Sequence, residues 1–144
     1  MLTMLGRNEQ LIIRDFGLAV ALNADPTNAT AFQQGDWYTL AGTGTTIVRV
    51  ANGNYPLLAF PVWSKRGEYT TQGLTQVSVI LGGSFMASTD RYDTTANYTL
   101  GHELTVTNGL LTMCGQGQPI HGFVLRTPAN NNGNLEFLRV LAGY

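Results

Sequence analysis

Charged residues are scarce in this sequence. Asp, Glu, Lys and Arg make up 12% of the 144 residues, about half the usual share for a soluble domain. The 8 basic and 9 acidic residues give a formal net charge of -1, and the basic residues form no run. Binding nucleic acid through its phosphates requires clustered Lys and Arg, so no nucleic-acid partner is predicted. A surface with few charges is poorly protected against association, which favours contacts with other subunits.

Cysteine and histidine are almost absent as well. The single cysteine, Cys114, excludes an intramolecular disulfide and is predicted to be a small core residue. The two histidines are His102 and His121, and no Gly-x-Ser-x-Gly, His-Glu-x-x-His or Cys-x-x-Cys motif is present. Catalysis by acid–base or nucleophilic chemistry needs a base, a nucleophile and an orienting group in one pocket. The chain is therefore predicted not to be an enzyme and to need no cofactor.

The acidic residues leave two alternatives open. Asp90, Asp93 and Glu103 lie near one another in sequence and offer the oxygen ligands that calcium takes, but their spacing is not that of a helix–loop–helix calcium loop. We interpret Asp90 and Asp93 as loop caps and predict no metal site. A carboxylate pair for glycoside hydrolysis has no local sequence signature, so a small β-barrel enzyme stays open as an alternative.

Long apolar runs are also missing. No stretch approaches the ~20 apolar residues that span a bilayer, so no membrane contact is predicted. Residues 1–10 have neither an apolar centre nor a small-residue cleavage site, which indicates synthesis in a cytoplasm without a secretory signal. Helical periodicity and strand–helix–strand spacing are absent, whereas 17 glycines and many threonines are typical of a turn-rich all-β domain.

The clearest strand pattern lies within residues 98–124. Leu104 and Val106 alternate with threonines, which is the period-2 pattern of a half-buried strand. Asn108-Gly109 follows at once and tolerates the positive φ that both central positions of a type I′ hairpin turn require. The predicted antiparallel meander continues with a return strand (110–114), a turn (115–119) and a third strand (120–125).

The whole chain follows the same plan. About eight short strands at roughly ten-residue spacing predict a small antiparallel β-barrel or sandwich over residues 35–144. Residues 1–34 differ in composition and are predicted to form an extended N-terminal arm with one strand in it. Pro61 interrupts the apolar segment 57–63, and because proline cannot donate to a ladder, this segment is predicted to be an edge strand or an irregular crossing.

The apolar residues of the arm are candidate contacts. An arm of this kind needs a surface to bind, since chain termini fray unless they are tied down. Its own core is one option, and a neighbouring subunit is the other. The candidate contact residues are Leu11, Ile12, Ile13 and Phe16.

Aromatic residues offer a second set of candidates. Trp37 and Trp63 are predicted to anchor an interface, because large aromatic side chains dominate interface energetics. Together with Tyr38, Phe60 and Tyr69 they are alternatively a stacking platform for sugars or bases. The near-neutral net charge weakens the nucleic-acid version of that alternative.

Several segments, taken in their order along the chain, resemble the small virion proteins of tailed bacteriophages. These segments are Gly35–Leu40, Phe60–Trp63, Gln76–Gly83, Ser88–Asp93 and Tyr98–Leu111 with its Gly101, Leu104–Val106 and Gly109. The family consists of capsid decoration or cement proteins, and the resemblance covers about residue 35 to the C-terminus.

The resemblance implies an all-β protein on the virion surface. It implies a homotrimer or homodimer, made in the host cytoplasm, that clamps neighbouring subunits of the major capsid protein on the outside of the expanded head. In such proteins an N-terminal arm often pairs with a capsid strand or loop, so the implied mechanism is strand addition repeated over many weak copies. The alternative is a carbohydrate-binding β-sandwich module of a phage tail or baseplate.

Overall fold

The structure, a computed structural model, describes residues 1–7, 11–22, 34–42, 44–64 and 74–140. Over these residues the chain forms eleven strands and one short 3-10 turn, Pro128–Asn130, and it contains no α-helix. The all-β prediction is confirmed. The strands outnumber the eight or so predicted because the N-terminal segment contributes two and the segment around Pro61 a short one.

The strands form two curled sheets. In chain order they are β1 (Leu2–Arg7), β2 (Ile12–Leu22), β3 (Trp37–Ala41), β4 (Thr46–Arg49), β5 (Phe60–Pro61), β6 (Leu74–Gly82), β7 (Phe85–Thr89), β8 (Glu103–Thr107), β9 (Leu110–Met113), β10 (Gly122–Arg126) and β11 (Leu135–Arg139). The first sheet has six strands in the order β1-β7-β11-β10-β8-β9, and the second has five in the order β5-β3-β4-β2-β6. Among these strands only β2 and β4 pair in parallel.

Three of the four end strands of these sheets have their outer edges covered. In the second sheet, Val62, just after β5, bridges to Val79 of β6 and thereby joins the two ends of the sheet. In the first sheet, Tyr92 bridges to Leu111 of β9, and the Asp93 N–H donates to the Leu111 carbonyl at 2.7 Å. Strand β1, at the other end of the first sheet, pairs with β7 alone within the described residues.

The N-terminal segment is extended, but its described parts are built into the fold. Strand β1 pairs with β7, and β2 lies between β4 and β6 in the second sheet. The physical reason is burial, since Leu2 is 2% exposed in one core cluster and Phe16 is 5% exposed in the other. The segment 1–34 is therefore no free arm where it is described; residues 8–10 and 23–33 of the predicted arm lie outside the described residues.

The meander predicted for residues 98–124 has a different strand order. Strand β8 lies between β9 and β10, whereas a meander would place β9 in the middle. Leu104, Thr105 and Val106 are all fully buried, so both faces of β8 are covered, and β9 and β10 pair with its two edges. The chain crosses over the end of β8 after Cys114, whose N–H donates to the Glu103 carbonyl, and the His121 N–H then bonds the Leu104 carbonyl at 2.8 Å.

Two apolar clusters hold the sheets together. The first draws side chains from both sheets and includes Trp37, Phe85 and Phe137, whose rings lie in contact. The second lies within the curl of the five-stranded sheet and contains Phe16, Tyr38, Ile47, Phe60, Val62, Val77 and Val79. Because Trp37 and Tyr38 are neighbours on β3, this strand contributes a large aromatic side chain to each cluster.

Two turns rich in asparagine and glycine meet across the sheets. Asn108 and Gly109 have φ angles of 52° and 67°, which confirms the positive φ predicted for this hairpin turn. The Asn108 N–H donates to the Ala51 carbonyl at 3.1 Å, and the Gly53 N–H donates to Thr107 Oγ1 at 2.9 Å. The tip of the β8–β9 hairpin is thus fastened to the turn that follows β4.

This contact predicts a difference between two glycine substitutions. A Cβ at Gly109 would collide with the guanidinium of Arg49, whereas a Cβ at Gly117 (φ 79°) would meet open space. Gly117→Ala should lower the free energy of unfolding by about 1 kcal/mol through backbone strain alone. Gly109→Ala should lower it by about 2 kcal/mol, because the Arg49 guanidinium would also have to move away from Asp36 and Asn108. Urea denaturation of both variants makes the comparison, and equal losses would contradict the packing argument.

Candidate interaction surface

The loop between β4 and β5 exposes an apolar surface. Tyr55, Leu57 and Leu58 are 38%, 57% and 47% exposed, and with Pro56 they form what we call the apolar loop, residues 55–58. Exposed apolar side chains are common singly, but three within four residues form a patch of the kind that contacts other molecules.

Side chains from three other strands or strand ends fix the backbone of this region. His121 Nε2 donates to the Pro56 carbonyl at 2.8 Å, and Thr39 Oγ1 donates to the Leu58 carbonyl at 2.7 Å. Arg139 Nη2 donates to the carbonyl of Ala59, the next residue, at 3.3 Å. The main chain of the apolar loop is thus held from the protein interior, while its apolar side chains are open to solvent.

His121 is a buried neutral donor in this arrangement. Its side chain is fully buried and contacts the Trp37 ring at a centroid distance of 5.9 Å. The carbonyl of Pro56 assigns the ring hydrogen to Nε2, and Nδ1 has no hydrogen-bond partner among the described residues. Burial holds the pKa of His121 below its usual value, and the nearby positive charge of Arg139 lowers it further.

Arg139 is a buried charge in the same region. It is 1% exposed, and its Cζ atom lies 5.9 Å from the ring centroids of both Trp37 and Phe85. Burial lowers the pKa of the guanidinium to about 10, so the group stays protonated at neutral pH. No carboxylate of the described residues forms a salt bridge with it. Carbonyl oxygens and aromatic faces therefore take the place of a counter-ion.

A second buried charge fixes the start of β3. Asp36 is fully buried, with Arg91 Nε at 2.6 Å from Oδ1 and Arg49 Nε at 3.5 Å from Oδ2. Arg49 Nη1 also donates to Asn108 Oδ1 at 3.3 Å. This network connects β3, β4 and the β8–β9 turn, and it thereby supports the base from which the apolar loop leaves.

The four arm residues predicted as contacts differ in exposure. Phe16 is 5% exposed and packs in the second cluster, so its prediction as a contact is corrected: it is a core residue. Leu11 and Ile13 are half-buried against the first cluster. Ile12 is 57% exposed and is the member of the set that remains available to a partner.

The predicted tryptophan anchors are also placed differently. Trp37 is fully buried at the contact between the sheets, so it anchors the core and not an exposed interface. Trp63 is half-buried against the same cluster. The stacking platform predicted from these aromatics is wrong for Trp37, Tyr38 and Phe60, which are all buried; Tyr69 lies outside the described residues.

The apolar loop was not predicted, although the sequence holds part of the signal. Asn52-Gly53-Asn54 marks a turn, and an apolar segment follows that turn directly. Alternation in that segment says nothing about which side chains stay exposed. The position of the backbone depends on His121 and Arg139, which are distant in sequence and bond the carbonyls of Pro56 and of Ala59, the residue directly after the loop.

The residues considered for catalysis or metal binding do not converge. No group of three or more His, Cys, Asp or Glu side chains in the described part of the chain is arranged to hold a metal ion. The Asp90 carboxylate pairs with the N-terminal amino group, and Asp93 accepts hydrogen bonds from Thr95 and Thr112. Burial, with the nearby charge of Glu103, raises the pKa of the Cys114 thiol.

Comparison with protein-family models, curated proteins and solved structures finds no match. In the described ranges, no helix has the length and apolar character needed to cross a membrane.

The burial of neutral His121 predicts a dependence of stability on pH. Because the pKa of His121 is lower in the folded chain than its ordinary value of 6.5, the unfolded chain binds more protons as the pH falls through 6.5, and folding is destabilised. The free energy of unfolding should decrease between about pH 7.5 and pH 5.5. In His121→Gln, which keeps an N–H donor but does not titrate, this decrease should be smaller.

Urea denaturation at both pH values measures the effect. The matched control is His102→Gln, since His102 is exposed and its ring bonds the carbonyl of the neighbouring Glu103. An unchanged pH dependence in His121→Gln would show that His121 does not contribute to it.

Proposed function

We propose that this chain is a structural virion protein that binds the outside of a bacteriophage capsid. In this proposal it stabilises the expanded head by bridging neighbouring subunits of the major capsid protein. The observation that supports it best is the apolar loop, whose backbone is fixed by His121, Thr39 and Arg139 while Leu57 and Leu58 stay exposed. A loop that is already ordered loses little conformational entropy on binding, so one of the costs that oppose association is reduced.

The chemistry of this surface suits a repeated apolar contact. Exposed leucine and tyrosine side chains match a shallow apolar pocket on the capsid and need no charged partner. Each contact of this size is weak, but neighbouring sites on a shell are bound together when the protein is a homodimer or homotrimer. Little dependence on salt concentration is expected, since screening acts on charges.

Strand β1 offers a second attachment element. Its outer edge presents unpaired main-chain groups within the described residues, and Leu5 on this strand is 49% exposed. An extended capsid segment that adds to β1 would gain main-chain hydrogen bonds, with alternate side chains giving specificity. The N-terminal segment would then act as the acceptor of a strand, at a defined place in the sheet, and not as a free arm.

Leu57→Ser tests the proposal. The substitution removes an exposed apolar side chain, so the free energy of unfolding should change by less than about 0.5 kcal/mol. Binding to expanded capsids that lack this protein should weaken by about tenfold or more per site, because the buried apolar contact is lost. Cosedimentation of the full-length protein with such capsids measures the binding.

The matched control is Leu100→Ser, because Leu100 is 66% exposed and lies outside the apolar loop. It should bind capsids as the unmodified chain does. Failure of the unmodified chain to bind capsids would overturn the proposal. Equal binding by both variants would show that the apolar loop does not contact the capsid. Deleting residues 1–22 is a poorer test, since it removes a strand from each sheet.

A further inference from the structure

A groove lies at a different place from the apolar loop. It has a volume of about 310 Å³ and runs between the segment after β7 and the 3-10 turn before β11. Tyr92, Asn97 and Tyr98 line one part of it, and Thr127 and Pro128 line another. The volume is at the lower end of the range typical of sites for small ligands.

The two tyrosine rings of the groove are held in fixed positions. They meet edge to face, with a centroid distance of 5.5 Å and an interplanar angle of 87°. The Tyr92 hydroxyl donates to the Gly133 carbonyl at 2.7 Å, and the Tyr98 hydroxyl donates to the Asp93 carbonyl at 2.7 Å. Because both hydroxyl groups are bonded to the main chain, the rings need no reordering when a ligand arrives.

Asp93 fixes the loop that lines part of the groove. Its Oδ1 accepts from the N–H and the hydroxyl of Thr95 at 2.9 and 2.6 Å, and its Oδ2 accepts from the Thr112 hydroxyl at 3.1 Å. The hydrogen bond from the Thr95 hydroxyl is the main cause that lowers the pKa of Asp93, so the carboxylate is ionised at neutral pH. Its role is to hold the loop that carries Asn97 and Tyr98.

The lining of the groove is aromatic and polar but uncharged. Besides the residues already named, it contains Thr94, Ala96 and Ala129. Aromatic rings pack against the apolar faces of pyranose rings, while amide and hydroxyl groups exchange hydrogen bonds with sugar hydroxyls. The nearby negative charge of Asp93 disfavours phosphate, sulfate and sialic acid.

We infer that this groove binds a neutral carbohydrate. The rings of Tyr92 and Tyr98 supply the apolar contact, and the Asn97 amide with the Thr94 and Thr127 hydroxyls supplies the polar ones. The inference goes beyond the proposed attachment to the capsid and uses none of the residues of the apolar loop. A protein on a virion surface with such a groove would hold the particle to glycan-bearing surfaces.

An array of neutral and sialylated oligosaccharides tests the inference with the full-length protein. Neutral oligosaccharides should be retained. Asn97→Ala should raise the Kd for the best neutral oligosaccharide about tenfold, since it removes polar contacts from an exposed position. Ala129→Arg, also at an exposed position of the lining, should abolish binding by filling the groove.

The matched control is Gln116→Ala, which removes an exposed amide outside the groove and should bind as the unmodified chain does. Unchanged thermal unfolding of each variant confirms that the fold is intact. The inference would be overturned if no neutral oligosaccharide were retained or if only sialylated ones were retained. Full retention of neutral oligosaccharides by Ala129→Arg would overturn it as well. Asn97→Ala should still bind capsids, so failure here is distinguishable from failure of the proposed attachment.

Discussion

The buried guanidinium of Arg139 is the constraint on which much of this structure depends. A charge taken out of water is costly unless polar or aromatic groups replace its hydration. Here the carbonyls of Ala59 and Gly83 and the rings of Trp37 and Phe85 replace part of that hydration, while Nε has no hydrogen-bond partner among the described residues. Those partners come from both sheets and from two connecting segments, so satisfying one side chain fixes their positions together. The bond to Ala59 fixes the chain directly after the apolar loop, while His121 and Thr39 hold carbonyls of the loop itself.

The low charge content of the chain has a related structural meaning. Arg49, Arg91 and Arg139 all make contacts inward, to Asp36 or to main-chain carbonyls, and His121 is neutral in the interior. Several of the 8 basic residues therefore specify how the two sheets meet, and fewer charges remain for the surface. Both candidate surfaces, the apolar loop and the tyrosine groove, follow this pattern, because neither has a charged side chain in its lining.

The sequence predicted the turns and strands that depend on neighbouring residues. It did not predict the strand order and the burial, which depend on residues distant in sequence. Asn108-Gly109 fixes its own turn through local backbone preference, and the alternation around Leu104 fixes a strand. That β8 lies between β9 and β10, with both its faces buried, is recorded by no local pattern. The same holds for the sites: apolar character did not separate the buried Trp37 from the exposed Leu57, since the difference lies in which elements pack above each.

The coverage of the sheet edges limits how many other strands can pair with this protein. The second sheet is joined to itself at Val62 and Val79, and the segment after β7 covers β9, so in the described residues β1 alone has an open edge. Even there, a bulge between Met4 and Gly6 interrupts the regular ladder. A subunit with one such edge pairs once and then stops. Within the described residues, strand pairing between copies of this chain would therefore stop at two and would not continue into fibres.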